Sequence, residues 1–212
     1  MHKIRISDKI FSDVIRLRIV AFGDRGRFSD LLKNKAANEN KTIDKLLSDP
    51  EVFTLFSNWV IDGNDDHAEH FIESDENGLI YACRVIESGP WSFDKYLKQG
   101  FDRSKFIEIG KFVAKAGRYN ILKLEKLVYE LLCEYRSRGK EKCIVLAIDD
   151  WYKIGRLWKK KWDFKWDTIS TNVSTFVHPS DLLSFDINDF LSKYEKYIAN
   201  KTKQIQSPII IV

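Results

Sequence analysis

The sequence predicts an α+β fold in which helices flank a mixed, mostly antiparallel sheet with a central pair of parallel strands. Two stretches of the 212-residue chain lead to this prediction. An antiparallel hairpin is indicated at 68–87, because Asn77-Gly78 supplies the positive backbone angles of a tight turn between two short apolar runs. A parallel crossover is indicated at 106–148, where a strand, a long helix and a second strand follow one another.

The first fifty residues contain one clear helix. Apolar side chains recur at helical spacing over 11–22, and Arg18 stands unexpectedly on the same face. The stretch from 23 to Pro50 is polar and interrupted by glycines, so it predicts a loop with short helices.

The crossover has the most regular pattern in the chain. It begins with an apolar strand at about 106–114. Apolar residues then recur every three or four positions from Ile121 until Gly139 stops the helix. A continuous apolar run follows at 142–148, as expected for a strand that is buried on both faces beside a parallel neighbour.

Shorter elements follow the crossover. They are a helix capped by Asp149 or Asp150 and ending near 161, strands at 162–170 and 172–177, a helix at 187–200 and an apolar tail at 208–212. The length of the chain predicts a single domain over 1–212, with its core at about 11–178 and a C-terminal helix and strand-like tail at 186–212.

The composition is ordinary for a soluble protein. The net charge is +4 with 31% charged residues of both signs, which lacks the concentrated basicity of a dedicated nucleic-acid binder. Three cysteines without a C-x-x-C pair favour buried thiols in a reducing compartment over disulfides or zinc. Because no apolar stretch has the length of a signal peptide or membrane span, a cytoplasmic protein is expected.

Two charged residues stand inside apolar strands. Glu108 follows Ile107 in the first strand of the crossover, and Arg84 lies within "IYACRVI" on the hairpin. An ionised group in such a place is costly unless it is paired or used, and facing strands would let these two pair with each other. Such pairs concentrate at functional sites, although a buried ion pair with no chemistry has the same pattern.

A second candidate site lies where the long helix begins. The stretch "AKAGRYNILK" offers backbone N–H groups at the positive end of a helix dipole, a glycine for close approach and the charge of Arg118. These features suit a phosphate group, and they equally suit ordinary helix capping.

The acidic stretch "IDGNDDHAEH" is not expected to bind a metal. Asp62, Asp65 and Asp66 lack the spacing of a calcium loop, and His67 and His70 lack the spacing of a zinc-binding helix. A loop that recognises an amino or cationic substrate, or a solvated turn, fits this stretch better.

Basic and aromatic residues alternate in "WYKIGRLWKKKWDFKW". This pattern could bind single-stranded nucleic acid, but a helix with an apolar inner face and solvated lysines at 159–161 explains it more simply. No nucleic-acid partner is therefore expected, whereas the lysines could meet an acidic carrier protein.

Four stretches together resemble the GNAT-fold acyltransferases, in particular the branch of acyl-homoserine-lactone synthases and N-acyl amino acid synthases. The stretches are "RLRIVAF" at 16–22, "DGNDDHAEHFIESDENGLIYACRVIES" at 62–88, "FIEIGKFVAKAGRYN" at 106–120 and "DDWYKIGRLWKKKWDF" at 149–164. The resemblance spans about 11–170 and implies a single GNAT-like domain. Its most specific feature is the pair of Arg84 and Glu108 in matching strands.

The resemblance implies roles for particular residues. Glu108 would deprotonate or orient an attacking amine, directly or through water, and Arg84 would fix that glutamate. The pantetheine arm and phosphates of the acyl donor would be bound by Phe112, Val113, Ala114, Gly117, Arg118, Tyr119 and Asn120. The substrate side would be formed by Arg18, Phe22, Asp62, Asp65, Lys111, Tyr152 and Trp158.

The chain departs from the family's pattern at several points. The phosphate loop "KAGRYN" keeps only one glycine, and Lys111 stands where the lactone synthases have arginine. Trp158 occupies the position of the tyrosine that protonates the leaving thiolate, so Tyr152 or water would have to supply that proton.

The function predicted first is an N-acyltransferase. It would transfer an acyl group from acyl-CoA or an acyl carrier protein thioester to the amine of a small amino acid-like acceptor. The alternative is a catalytically inactive GNAT-fold module that binds an acyl ligand or a protein partner.

Overall fold

The structure, a computed structural model, describes residues 1–23, 29–115, 121–147, 149–173 and 180–206. Its strands are β1 (His2–Ile4), β2 (Glu69–Asp75), β3 (Gly78–Glu87), β4 (Phe106–Ala114), β5 (Lys142–Ala147), β6 (Asp167–Val173) and β7 (Ser180–Asp186). Its helices are α1 (Phe11–Gly23), α2 (Ser29–Asn38), α3 (Ile43–Leu46), α4 (Pro50–Val60), α5 (Ile121–Ser137), α6 (Asp149–Trp162) and α7 (Ile187–Gln206).

The strands form one open mixed sheet in the order β1-β2-β3-β4-β5-β7-β6. Strands β4 and β5 are parallel, as the crossover predicts. The pairs β1–β2, β2–β3, β5–β7 and β6–β7 are antiparallel. The predicted fold class is therefore confirmed.

Most of the predicted elements are present, and the errors are local. Helix α4 and strands β1 and β7 are absent from the sequence prediction. A single strand, β6, replaces the first predicted C-terminal strand and reaches Val173 of the second, whose remaining residues lie outside the described part of the chain. The apolar tail at 208–212 also lies outside it.

The chain divides into two compact units. The N-terminal unit comprises Met1–Asp94 and Glu108–Leu127, and the C-terminal unit comprises Lys95–Ile107 and Val128–Val212. The single domain over 1–212 stays a prediction.

The core of the N-terminal unit lies between its helices and one face of its strands. Helix α1 buries the predicted stripe, including Val14 and Ile19, and α4 buries Val52, Phe56 and Val60 at four-residue spacing. Arg18 is fully buried on this same inner face. The helix thus carries a charge into the interior of the unit, where it needs partners.

Aromatic side chains fill the core of the C-terminal unit. They include Trp158 and Trp162 of α6, Phe185 of β7 and Phe190 of α7, and their rings meet mostly edge to face. Gly155 of α6 leaves room for the Trp166 ring, since a Cβ at position 155 would lie 1.4 Å from that ring.

Candidate active site

Seven ionisable side chains converge within the N-terminal unit. They come from α1, the turn after α4, and strands β2, β3 and β4. Most of them are buried, whereas the Asp62 side chain is 34% exposed. The seven are Arg18, Asp62, Asp65, His70, Arg84, Glu108 and Lys111.

The carboxylate of Asp65 is the centre of this cluster. Its Oδ1 accepts a hydrogen bond from Arg18 Nη1 at 2.9 Å and lies 3.4 Å from Arg84 Nη1. Its Oδ2 accepts from Lys111 Nζ at 3.2 Å and from the backbone N–H of Asp62 at 3.0 Å. Burial by itself raises the pKa of Asp65, but the three cations outweigh it and lower the pKa to about 2. Asp65 is therefore ionised at neutral pH.

His70 links two members of the cluster, although sequence reasoning did not assign it to the site. Its Nδ1 lies 3.3 Å from Arg18 Nη2, and its Nε2 lies 3.1 Å from the carbonyl oxygen of Asp65. Arginine can only donate, so Nδ1 accepts and Nε2 donates, which is a neutral tautomer. Burial lowers the pKa of His70 and favours this neutral form. The register of the hairpin could have predicted this role, because it places His70 directly opposite Arg84.

Lys111 joins the acidic turn to the end of α4. Its ammonium group donates to the carbonyl oxygen of Val60 at 2.6 Å and to carboxylate oxygens of Asp62 at 2.9 Å and Asp65 at 3.2 Å. These contacts use all three ammonium protons. Its left-handed backbone (φ 47°) breaks the alternation of β4, so that Lys111 faces the same cluster as Glu108. The substrate contact predicted for Lys111 stays a prediction, and its observed partners are the acidic turn and α4.

Arg84 is surrounded by carboxylates. Its Nη1 donates to Oδ1 of Asp62 at 2.6 Å, whereas its Nη2 lies 3.7 Å from Oε1 of Glu108. The predicted ion pair of Arg84 and Glu108 is thus present, but at a separation longer than a hydrogen bond.

Glu108 is a buried carboxylate with an unbonded oxygen. The residue is only 4% exposed, and its Oε2 has no hydrogen-bond partner in the described part of the chain. Burial raises the pKa of Glu108 to about 6, against the opposing charge of Arg84. The carboxylate lies over Gly110, where a Cβ atom would be 2.5 Å from Oε1. A carboxylate that titrates near neutral pH and has an unbonded oxygen is suited to accept a proton.

The residues predicted to bind the acyl donor are partly described. Phe112 is half-buried, with its ring centroid 6.0 Å from that of Tyr81. Val113 is buried and Ala114 is half-buried in the same strand. The other predicted donor contacts lie outside the described residues: Gly117, Arg118, Tyr119 and Asn120.

Three further predicted residues lie elsewhere. Phe22 of α1 is half-buried and packs against the core of the N-terminal unit. Trp158 is 1% exposed within the C-terminal unit, where its ring contacts Trp162 and Phe164. Tyr152 lies on α6, and its side chain is outside the described part of the chain.

No metal site is evident in the described ranges. There, no three or more His, Cys, Asp or Glu side chains are grouped so as to hold a metal ion. Cys83, Cys133 and Cys143 are free thiols, two of them buried and Cys133 half-buried. Of the helices in the same ranges, none is both long enough and apolar enough to span a bilayer.

The mixed sheet with its parallel β4–β5 pair is a GNAT-like fold. Neither a family model nor a curated protein matches the sequence. Among solved structures, the chain resembles the AHL synthase LasI, with 12% identity and a TM-score of 0.59 over 88% of this chain and 91% of that one. It also resembles BjaI, a CoA-dependent acyl-homoserine lactone synthase, with 11% identity and a TM-score of 0.60 over 92% and 88% of the two chains.

A third similar structure is FeeM, an N-acyl amino acid synthase from uncultured soil microbes. It shares 10% identity and a TM-score of 0.55 over 91% of this chain and 93% of that one. At these identities the likeness shows a shared fold. The three named neighbours are synthases of acyl-homoserine lactones or N-acyl amino acids, and the chemistry of this chain must be argued from its own residues.

Proposed function

We propose that this protein is an N-acyltransferase. It transfers an acyl group from the thioester of coenzyme A or of an acyl carrier protein to the amine of a small, amino acid-like acceptor. The observation that carries this proposal is Glu108, whose buried carboxylate has a pKa raised to about 6 and an oxygen without a hydrogen bond. The acyltransferases LasI and FeeM, which share the fold, support it.

Glu108 acts as the base of the reaction. It takes a proton from the acceptor nitrogen, directly or through water, while that nitrogen attacks the carbonyl carbon of the thioester. A C–N bond forms and the C–S bond breaks. The leaving thiolate then takes a proton from water or from Tyr152, and Glu108 returns its proton to solvent. Since only the ionised carboxylate can accept a proton, the rate rises as the pH increases through about 6.

The remaining predicted residues position the two substrates. Arg84 fixes the base through the ion pair with Oε1 of Glu108 at 3.7 Å, without a short hydrogen bond, and Asp65 with Asp62 orders the turn beside the acceptor. Arg18 and Phe22 form the wall on the acceptor side. The donor is bound through the backbone of β4 at 112–114 and through residues 117–120.

Glu108→Gln is expected to abolish product formation, because the amide has the shape of the carboxylate but cannot take a proton. The measurement is mass spectrometry of lipid extracts from cells that overproduce each protein. Acylated amines should appear with the unmodified protein and with Glu76→Gln, a control in the exposed hairpin turn, and should be missing with Glu108→Gln.

Identical lipid profiles for all three proteins would contradict the proposal. They would favour the second candidate function, a GNAT-fold module that binds an acyl ligand or a partner without reaction. The observation that favours this alternative is Trp158, a buried indole without an acidic proton, at the position where the family resemblance implies a tyrosine.

A further inference from the structure

Of the three carboxylates near Arg84, that of Asp62 lies closest to its guanidinium group. The Nη1–Oδ1 distance between them is 2.6 Å, compared with 3.4 Å from Arg84 to Asp65 and 3.7 Å from Arg84 to Glu108. Hydrogen-bond strength falls steeply over this range, so the guanidinium group is directed mainly at Asp62.

Asp62 is itself held in place by other groups. Its Oδ2 lies 2.9 Å from Lys111 Nζ, and its Oδ1 accepts a hydrogen bond from the backbone N–H of Asn64 at 3.0 Å. The carboxylate is therefore fixed although its side chain is 34% exposed. Glu108 is more deeply buried than Asp62, yet it receives no short hydrogen bond from Arg84.

We propose that Asp62 is a positioning residue that keeps the guanidinium group of Arg84 beyond hydrogen-bond distance of Glu108, so that the carboxylate, with its unbonded Oε2, remains able to take a proton from the acceptor amine. The role of Glu108 as a base in this inference rests on the proposed function. The positions of Asp62, Arg84 and Glu108 do not depend on it.

The charges around Glu108 determine what removal of Asp62 should do. The charged groups that act on Glu108 are Arg84 of β3, Lys111 of β4 and Asp62 of the turn. Arg18 of α1, neutral His70 of β2 and Asp65 of the turn belong to the same cluster and contact one another. Within the cluster, the three cations Arg18, Arg84 and Lys111 thus balance three carboxylates, namely Asp62, Asp65 and Glu108 itself. Without Asp62 the same cations face only two carboxylates, and Arg84 is released toward Glu108. Both changes favour the ionised form of Glu108 and weaken it as a base.

The test is a carbon-detected NMR titration of the Glu108 side-chain carboxyl group in the purified full-length protein. In the unmodified protein the pKa should be about 6. In Asp62→Ala it should fall by about one unit or more toward the ordinary glutamate value of about 4.3. Asp62→Asn should give a smaller fall, because the amide oxygen still accepts from Arg84. Asp66→Ala, which removes the exposed neighbouring carboxylate, should leave the pKa of Glu108 unchanged.

An unchanged or higher pKa of Glu108 in Asp62→Ala would overturn the proposal, as would an equal fall in Asp66→Ala. If Asp62→Ala does not fold, the isosteric Asp62→Asn takes its place, and an unchanged or higher pKa of Glu108 in that variant would overturn the proposal. The titration needs no substrate, so it separates the two proposals. The expected shifts together with inactive protein in the lipid assay would reject the acyltransferase function alone.

Discussion

Asp65→Ala is expected to lower the free energy of unfolding by about 3–5 kcal/mol. The substitution removes the carboxylate that Arg18 and Lys111 contact directly, and both the Arg18 and the Asp65 side chains are 0% exposed. A buried guanidinium group without its carboxylate pays the cost of desolvation without compensation. Urea denaturation followed by circular dichroism measures the loss. Asp66→Ala, an exposed aspartate next in the chain, should change stability by no more than about 0.5 kcal/mol.

The pH dependence of this loss has a definite sign. The pKa of Asp65 is lowered on folding, so its stabilising effect is fully present above its unfolded value of about 3.9 and is lost as the pH falls through about 2. The difference between the unmodified protein and Asp65→Ala should therefore be constant from pH 7 to about pH 5 and narrow below pH 4. A loss as small as that of Asp66→Ala would show that the cluster does not stabilise the fold.

Gly110→Ala is expected to reduce kcat by about 100-fold, since a displacement of about 1 Å in a catalytic group has an effect of that size. A Cβ atom at position 110 would lie 2.5 Å from Oε1 and 3.4 Å from Cδ of Glu108, so the carboxylate must move. Its new position would no longer match the acceptor nitrogen. The measurement is the steady-state rate of thiol release from an acyl thioester.

The matched control for this change is Gly63→Ala. A Cβ atom there would meet nothing within 4 Å, so the rate should stay near that of the unmodified protein. Equal rates for Gly110→Ala and the unmodified protein would mean that the placement of the Glu108 carboxylate does not limit the reaction.

Charged residues within apolar runs are the features of the sequence that point most directly to the site. Glu108 and Arg84 stand between apolar, buried neighbours in their strands, and the hairpin and crossover patterns bring those strands into one sheet. The cost of burying a charge makes such positions recognisable without coordinates. Arg18 follows the same logic on a helix, where it stands on a face whose neighbours are all apolar.

Local chemistry explains the missed helix α4. The sequence prediction treats Pro50 as the end of a loop, but proline is also favoured in the first turn of a helix. Asp49 caps this helix by accepting from the backbone N–H groups of Glu51 and Val52 at 2.9 and 3.4 Å. Asp-Pro before apolar residues at four-residue spacing therefore marks a helix start in this chain.

Strand β7 could not be predicted from the pattern of apolar residues, and neither could the details of the site. Leu182, Leu183 and Phe185 of β7 are all buried, so successive side chains on both faces of the strand are apolar and the strand shows no alternation. The left-handed backbone of Lys111 is equally invisible in the sequence. So is the sharing of Arg84 among three carboxylates, which is set by the distances between elements that are remote in the chain.

The most direct test of Glu108 as the base is the pH dependence of thiol release by the purified protein. Octanoyl-coenzyme A and the matching acyl carrier protein thioester serve as donors, with a mixture of amino acids as acceptors. The acceptor-dependent rate should rise as the pH passes through about 6, and Glu108→Gln should lower it by at least about 100-fold. Equal acceptor-dependent rates and pH profiles in the two proteins would contradict a catalytic role for Glu108.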